Sequence, residues 1–278
     1  MTRKQLIERI ASRLTTLYGE KEALSIARLV AEKRFGISRM ETALDPKAPV
    51  KGTGEEIKQI VAELASGRPV QYVLGKADFC DMRFEVGEGA LIPRPETEEL
   101  TEWILRESRP YEELLDIGTG SGCIAVTLSL RMPRSRVTAI DISQQALTWA
   151  IRNNFAHDTD VRFIQADILD PELDLGRFDV IVSNPPYIPT AERSKMQINV
   201  TRYEPKEALF VPDDDPLLYY RAIGNFALRS LKPNGRLYFE INETLANETV
   251  ALLRKMGFSD VQLRQDINEK PRMLRCRR

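Results

Sequence analysis

After Tyr111 the chain alternates short apolar runs with longer segments whose apolar residues recur at helical spacing. The runs are predicted strands, at residues 114–117, 137–140, 161–164, 178–182 and 237–241, and near Val261 and Met273. Because these runs are apolar throughout, each strand is expected to be buried on both faces. Strands of this kind, joined by helices, form a mostly parallel sheet with helices on both sides. We therefore predict an α/β fold with a doubly wound sheet.

The residues in front of the sheet are predicted to form a small helical bundle, because three apolar stripes recur there at helical spacing. The stripes comprise Ile7, Ile10, Leu14 and Leu17, then Leu24, Ala27, Val30 and Ala31, then Ile57, Ile60, Val61 and Leu64. Thr53 and Glu56 have the spacing of a capping box before the third stripe. Gly67 follows the same stripe and is a typical helix stop.

A segment with a different pattern joins the bundle to the sheet. Phe79, Met82 and Phe84 lie close to glycines, and this pattern predicts a short β-hairpin. Pro95 then begins a helix, where a proline costs little because its missing N–H would be unpaired. We predict a helical domain at 1–75, a hairpin linker at 76–95 and the sheet domain at 96–278.

The charge balance disfavours nucleic acid as the main partner. The chain has 40 Lys and Arg against 41 Asp and Glu, whereas proteins that neutralise runs of phosphate usually carry a basic excess. No apolar run approaches the roughly 18 residues that a membrane span needs. The amino terminus also lacks the apolar core of a signal peptide. We expect a cytoplasmic protein without a membrane partner.

Histidine and cysteine usage excludes several kinds of catalysis. His157 is the only histidine and stands in a polar stretch, so we expect an ordinary surface side chain. Triads of the Ser-His-Asp or Cys-His type are therefore not expected. The three cysteines, Cys80, Cys123 and Cys276, form no Cys-x-x-Cys pair. We predict neither a disulfide framework nor a metal site.

A glycine-rich loop follows the first predicted strand of the sheet. It reads Asp-Ile-Gly-Thr-Gly-Ser-Gly from Asp116 to Gly122. The glycines allow a tight turn and a close approach of backbone to a ligand. Their spacing is neither the dinucleotide pattern nor a P-loop. By itself this loop is compatible with ligand binding or with a simple strand-to-helix turn.

Two carboxylates follow the next strands at the edge where doubly wound sheets bind ligands. Asp141 ends the second strand, and a carboxylate there accepts hydrogen bonds from ribose hydroxyls. Asp167 follows the third strand and has the position to accept from an adenine amino group, or to cap a turn. Together with the glycine loop, these residues favour a nucleoside ligand.

The fourth strand runs directly into Asn184-Pro185-Pro186-Tyr187. Two prolines stiffen the turn and remove two N–H donors, so that it presents acceptors. The Asn184 side-chain oxygen and the Pro185 carbonyl are thus predicted to hold one planar NH2 group, with the Tyr187 ring stacked on it. The alternative is a stiff loop with a capping asparagine.

These motifs together resemble the class I S-adenosylmethionine-dependent methyltransferases, and the Asn-Pro-Pro-Tyr turn resembles those that methylate a planar nitrogen. Further motifs resemble the release-factor glutamine methyltransferase family of the PrmC/HemK type. They are Gln71 to Gly75, Phe79, Leu91 to Glu98, Tyr203-Glu204-Pro205 and Ala208-Leu209, together with the helical domain in front. The resemblance implies a Rossmann-like, seven-stranded sheet.

The resemblance also implies which residues act. Those expected to bind S-adenosylmethionine are Asp116, Gly118, Thr119, Gly120, Ser121, Gly122, Asp141, Ile142, Asp167, Ile168 and Asn184. Those expected to bind the substrate are Asn184, Pro185, Pro186 and Tyr187, of which Asn184, Pro185 and Tyr187 are expected to be catalytic. Ile168 stands where some members have an aromatic residue.

By the same resemblance, the reaction is methylation of the amide nitrogen N5 of the glutamine in the Gly-Gly-Gln motif of peptide-chain release factors. The helical domain would dock this protein substrate, and we expect a monomer. Two alternatives remain open from the residues. One is an adenine N6 methyltransferase acting on DNA or RNA, which the charge balance disfavours. The other is an inactive module that only binds a release factor.

Overall fold

The computed structural model describes residues 1–52 and 54–278. The capping box predicted at Thr53 lies outside the described residues. The chain divides into two units, of which the first contains Met1–Lys76 and Gln197–Tyr203 and the second Ala77–Met196 and Glu204–Arg278. Each unit has its own apolar core.

The helices are α1 Arg3–Phe35, α2 Arg39–Leu44, α3 Gly54–Ala65, α4 Val70–Leu74, α5 Pro95–Glu107, α6 Cys123–Arg131, α7 Gln144–Ala156, α8 Ile198–Tyr203, α9 Leu218–Ser230 and α10 Ala246–Lys255. The strands are β1 Lys76–Phe79, β2 Met82–Glu85, β3 Glu113–Ile117, β4 Arg136–Asp141, β5 Val161–Gln165, β6 Phe178–Ser183, β7 Ile188–Pro189, β8 Phe210–Val211, β9 Leu231–Glu240, β10 Ser259–Gln265 and β11 Pro271–Arg277. None of the described helices is both long enough and apolar enough to cross a membrane.

The first unit is a helical bundle built from the predicted stripes. Ile10 and Leu14 of α1 and Leu64 of α3 are fully buried in its core. The prediction is wrong for Leu17, which is 43% exposed. Helical geometry is interrupted just beyond it, at Gly19 with φ 74° and ψ 166°, so the apolar face does not continue in register.

A late segment of the chain belongs to this same unit. Helix α8, which follows β7 in the sequence, contributes Tyr203, whose hydroxyl donates to the Ser66 carbonyl oxygen at 3.1 Å. The Ser66 hydroxyl lies 2.9 Å from the same Tyr203 oxygen. No apolar stripe of the early chain predicted this partner.

The second unit contains the predicted seven-stranded sheet, in the order β10-β11-β9-β6-β3-β4-β5. Strands β9, β6, β3, β4 and β5 run parallel, and at one edge β11 pairs antiparallel with β9 and β10 antiparallel with β11. Along β3, Leu114 faces one apolar cluster and Leu115 the other. Burial on both faces is the property from which the doubly wound fold was predicted, and that prediction is confirmed.

Local details differ from prediction in two places. The strand predicted at 237–241 begins earlier, at Leu231, and contains a bulge: the pairing with β6 shifts between Phe178 opposite Leu231 and Val180 opposite Arg236. His157 is not a free surface side chain, because its ring packs 5.0 Å from that of Phe84 and its Nε2 lies 3.0 Å from the Arg83 carbonyl oxygen. It therefore packs on β2 and stabilises the hairpin formed by β1 and β2.

Candidate active site

The register of the parallel strands brings four predicted loops to one edge of the sheet. Ile117 at the end of β3 pairs with Ser183 of β6 on one side and with Ile140 of β4 on the other. Asp141 in turn pairs with Gln165 at the end of β5. Because β3 lies between β4 and β6, its loop stands at the switch in strand order, where such sheets bind ligands.

The glycine loop after β3 is open on the side where a ligand would approach. Gly118 and Gly120 have φ 73° and 57°, and a Cβ built on either would meet no atom within 4 Å. Gly122 has a different function, because a Cβ there would lie 3.0 Å from the Ala150 Cα of α7. The loop thus combines tight helix packing at one end with exposed backbone at the other.

Asp116, the last-but-one residue of β3, lies buried where this loop begins. Its Oδ2 accepts from the Thr119 hydroxyl at 2.6 Å. Its Oδ1 and the Ser121 hydroxyl are buried, with no hydrogen-bond partner among the described residues. Burial, with the nearby Asp141 carboxylate, raises the pKa of Asp116 to about 7. Such a group is stabilised by a ligand that brings a donor or a positive charge.

Asp116→Asn is expected to reduce the dependence of stability on pH. The pKa of Asp116 is about 7 in the folded chain and 3.8 ordinarily, so between these values the folded protein keeps a proton that the unfolded chain has lost. Its contribution to stability is therefore present below about pH 4 and is lost as the pH rises through about 7.

Urea unfolding of the cofactor-free protein at about pH 5 and about pH 8 measures this effect. Between these two pH values, the free energy of unfolding of the wild type should fall by about 2–3 kcal/mol more than that of the Asp116→Asn variant. Asp167→Asn, which removes the charge of an exposed aspartate, serves as the control. Equal pH dependence in wild type and Asp116→Asn would contradict the prediction.

Asp141 bridges the glycine loop and the start of α7. Its Oδ2 accepts from the Gly120 N–H at 2.8 Å and its Oδ1 from the Ser143 N–H at 2.9 Å. Burial raises the pKa of Asp141 above its ordinary value. Each oxygen keeps a further lone pair, so acceptance from ribose hydroxyls stays a prediction. The bond to Gly120 is a second role, which sequence reasoning missed.

The remaining predicted nucleoside contacts lie along the neighbouring loops. Ile142 is 56% exposed beside Asp141. Asp167 is exposed, and its Oδ1 accepts from the Leu169 N–H at 2.8 Å, so this side chain caps a turn. Ile168 is half-buried and packs on the apolar cluster that contains Leu115. Contact of these three side chains with adenine stays a prediction.

The Asn-Pro-Pro-Tyr turn presents two acceptors close together in the chain. The Asn184 Nδ2 donates to the Thr97 hydroxyl oxygen at 3.1 Å. Among the described residues, no donor contacts the Asn184 Oδ1 or the Pro185 carbonyl oxygen. Asn184 is half-buried and Pro185 is buried. That these two oxygens accept from a planar NH2 group stays a prediction.

Tyr187 and Thr97 both bond to one buried carboxylate, that of Glu240. The Tyr187 hydroxyl donates to Glu240 Oε1 at 3.0 Å, and the Thr97 hydroxyl donates to Oε2 at 2.5 Å. Burial raises the pKa of Glu240, although the hydrogen bonds from both hydroxyls and the charge of the Arg272 guanidinium act to lower it. Burial also raises the pKa of Tyr187, which keeps its proton.

Sequence reasoning missed Thr97 and Glu240, although both gave a signal. Glu240 is the charged residue in the otherwise apolar strand predicted at 237–241, and Thr97 lies inside a motif used for the family resemblance. A second buried carboxylate holds that motif in place. Glu204 accepts from the Ile92 N–H at 3.1 Å and from Arg94 at 2.6 Å, just before α5 begins.

Other chemistry has no comparable support in the described residues. They contain no group of three or more His, Cys, Asp and Glu side chains suited to a metal ion. Cys80, Cys123 and Cys276 are buried and free of disulfides. Burial raises the pKa of each thiol, to about 12 for Cys80, so these thiols are weakly reactive.

Comparison with known protein families assigns both parts of the chain. Residues 5–75 match the model of the PrmC N-terminal domain, and residues 97–202 match the model of the methyltransferase small domain. Among solved structures, a methyltransferase from Pyrococcus furiosus superposes with a TM-score of 0.53 at 21% identity, covering 70% of this chain and 87% of that chain. The T. thermophilus 16S rRNA N2 G1207 methyltransferase gives 0.54 at 18% identity, covering 73% and 49%. These likenesses show the fold.

Curated relatives are similar over nearly the whole length. The release factor glutamine methyltransferase of Flavobacterium psychrophilum is 42% identical over 280 residues, covering 98% of this chain and 96% of the relative. That of Bacteroides thetaiotaomicron is 38% identical over 271 residues, covering 97% and 98%. The resemblance drawn from the motifs is confirmed. The chain belongs to the release factor glutamine methyltransferase family.

Proposed function

We propose that this chain transfers a methyl group from S-adenosylmethionine to the amide nitrogen N5 of the glutamine in the Gly-Gly-Gln motif of peptide-chain release factors. The observation that carries the proposal is a pair of acceptors, Asn184 Oδ1 and the Pro185 carbonyl, that no donor of the described residues contacts, in a turn beside an open glycine loop. The names of its relatives support the same substrate.

The residues after β3 and β4 fit such a cofactor. Gly118 and Gly120 leave open space beside their backbone, and the Asp116 Oδ1 is a buried acceptor that receives no hydrogen bond from the part of the chain that the structure describes. Asp141 would accept from the ribose, and Ile142 would cover the adenine, whose other contacts would come from Asp167 and Ile168. When bound, S-adenosylmethionine supplies an electrophilic methyl group.

The turn after β6 would activate the nucleophile. An amide nitrogen is a poor nucleophile because its lone pair is delocalised into the carbonyl, as its rotation barrier of ~18–20 kcal/mol reflects. Asn184 Oδ1 and the Pro185 carbonyl would accept both amide hydrogens, and Tyr187 and Pro186 would confine the planar group. Two such bonds contribute about 1.5–3 kcal/mol each as positive charge grows on the nitrogen.

Hydrogen bonds of this size do not account for the whole rate enhancement. Holding the reactants in the correct geometry supplies up to roughly 7–11 kcal/mol in well-oriented cases. A stiff turn anchored on buried side chains serves this purpose. The amide nitrogen needs no protein base before transfer, which agrees with a site built without histidine.

The helical domain at 1–75 would dock the release factor, with the hairpin linker at 76–95 between it and the methyltransferase domain at 96–278. We place this reaction in the cytoplasm, with the chain acting as a monomer. Nucleic acid is not expected to be a substrate.

Labelled cofactor and purified release factor test the proposal directly. Mass spectrometry should locate a gain of one CH2 at the glutamine of the Gly-Gly-Gln motif. A release factor with asparagine in place of that glutamine is the control and should gain nothing. Duplex DNA in a parallel reaction tests the adenine alternative. Labelled DNA with an unmodified release factor would overturn the proposal.

A further inference from the structure

We propose that Thr97 is a positioning residue: held by Glu240, it orients the Asn184 carboxamide so that Oδ1 faces the substrate amide. This inference rests on the proposed function, because it concerns the same acceptor pair. Neither Thr97 nor Glu240 would touch the substrate. Both would act through the orientation of Asn184.

The single proton of the Thr97 hydroxyl decides which way the Asn184 carboxamide faces. A hydroxyl carries one proton, and this one is donated to Glu240 Oε2 at 2.5 Å. The Thr97 oxygen can therefore only accept from Asn184, which it does from Nδ2 at 3.1 Å. A carboxamide rotated by half a turn would place its oxygen against the Thr97 oxygen with no proton between them. The rotation that presents Oδ1 to the substrate is thus selected.

Glu240 stabilises this arrangement because its other oxygen is already engaged. Tyr187 donates to Oε1 at 3.0 Å, and Glu240 itself is buried at the end of β9. If Thr97 turned its proton towards Asn184, the buried Oε2 would lose its donor. A buried carboxylate oxygen left without its donor is unfavourable. The proton of Thr97 therefore stays on Glu240.

One carboxylate thus anchors both ends of the Asn-Pro-Pro-Tyr turn. Oε2 reaches Asn184 through Thr97, and Oε1 holds Tyr187 directly. Pro185 and Pro186 lack N–H groups, so the backbone of the turn has fewer means of anchoring itself. The side chains supply the anchor instead. Asn242 adds to it by donating from Nδ2 to the Tyr187 carbonyl oxygen at 3.0 Å.

Three threonine variants on α5 test the inference. Thr97→Val preserves the shape and removes the hydroxyl, Thr97→Ser keeps the hydroxyl, and Thr101→Val is the matched control. Thr101 is buried one turn away, and its hydroxyl donates to the Thr97 carbonyl oxygen at 2.9 Å. Steady-state methylation of release factor, cofactor binding and thermal unfolding are measured for each variant.

Thr97→Val should lower kcat by about 10- to 100-fold, because misplacing a reacting group reduces the rate by about this factor. KM and the cofactor Kd should change less than about twofold. Thr97→Ser should restore most of kcat, and Thr101→Val should resemble wild type. Normal kcat in folded Thr97→Val would overturn the inference. A serine variant as slow as the valine variant would also overturn it, since shape rather than the hydroxyl would then matter.

A second measurement separates this inference from the proposed function. In 15N-labelled protein, the Asn184 side-chain amide proton bonded to Thr97 should exchange slowly with solvent in wild type and in Thr97→Ser. In Thr97→Val the protection should be lost. A protected amide in a protein that does not methylate release factor would refute the function and leave the positioning standing. An unprotected amide in wild type would refute the positioning.

Should Thr97→Val fail to fold, Glu240→Gln provides the second variant. Glu240 accepts from the Thr97 and Tyr187 hydroxyls with a different oxygen each. A glutamine has only one such oxygen, because its other terminal atom is a nitrogen that donates. The orientation of Thr97 is then no longer unique, and kcat should fall with KM unchanged. Wild-type kcat in Glu240→Gln would contradict the inference.

Discussion

Asn184→Ala is expected to lower kcat for release-factor methylation by about 100- to 1,000-fold, the loss seen when a donor or acceptor that stabilises transition-state charge is removed. The reason is that alanine removes the Oδ1 acceptor while the Pro185 carbonyl remains. The bond from Asn184 to Thr97 is also lost. Single-turnover methylation at saturating cofactor measures the effect.

Cofactor binding is the control for this variant. Calorimetric titration should show that the dissociation constant for S-adenosylmethionine rises far less than kcat falls, because this variant loses the expected contact of Asn184 but keeps those of the glycine loop and Asp141. Asn247→Ala, at an exposed asparagine on α10, provides a matched substitution and should leave both quantities unchanged. Turnover of Asn184→Ala within about threefold of wild type would refute the assigned role.

Asp141→Ala has the second large expected effect, on affinity. The dissociation constant for S-adenosylmethionine should rise by about 30- to 100-fold, since hydrogen bonds to a charged group are worth about 1.5–3 kcal/mol each. The loss has two sources: the predicted ribose contacts, and the bonds from Gly120 and Ser143 that hold the loop. Equilibrium titration with the cofactor measures it.

Two further substitutions complete this experiment. Asp160→Ala removes an exposed aspartate just before β5 and should not change the affinity. Asp141→Asn keeps one acceptor oxygen, so its dissociation constant for S-adenosylmethionine should lie between those of the wild type and Asp141→Ala. An unchanged dissociation constant in Asp141→Ala would show that this carboxylate neither contacts the ribose nor shapes the loop that binds the cofactor.

Features that depend on local sequence were predictable. The strands after Tyr111 were found because burial on both faces requires continuous apolar runs, and β3, β4, β5 and β6 lie within one residue of their predicted bounds. Ser143, a residue type that favours helix starts, caps α7, with its hydroxyl accepting from the Ala146 N–H. The missing N–H donors of the Asn-Pro-Pro-Tyr turn follow from proline chemistry alone, whereas the orientation of its Asn184 side chain depends on Thr97.

Features that depend on distant contacts were not predictable. Thr97 and Glu240 are separated by 143 residues in sequence, and their bond follows only from the packing of α5 against the end of β9. The bond between Asp141 and Gly120 needs the register of β3 and β4. His157 was predicted to be a surface side chain because nothing nearby in sequence announces Phe84. Periodicity describes one element at a time, whereas these contacts each join two.

The membership of Gln197–Tyr203 in the helical unit affects how the protein can be divided. An expressed fragment that stops at residue 76 would lack Tyr203, whose hydroxyl bonds to the Ser66 carbonyl oxygen. Its bundle would have to fold with that position open to water. For the same reason, a chimera of two relatives with one crossover point would not exchange the whole helical bundle. The segment that corresponds to Gln197–Tyr203 must come from the same parent as the first 76 residues. The helical bundle is thus discontinuous in sequence, and recombination at one junction would combine two parts of it from different parents.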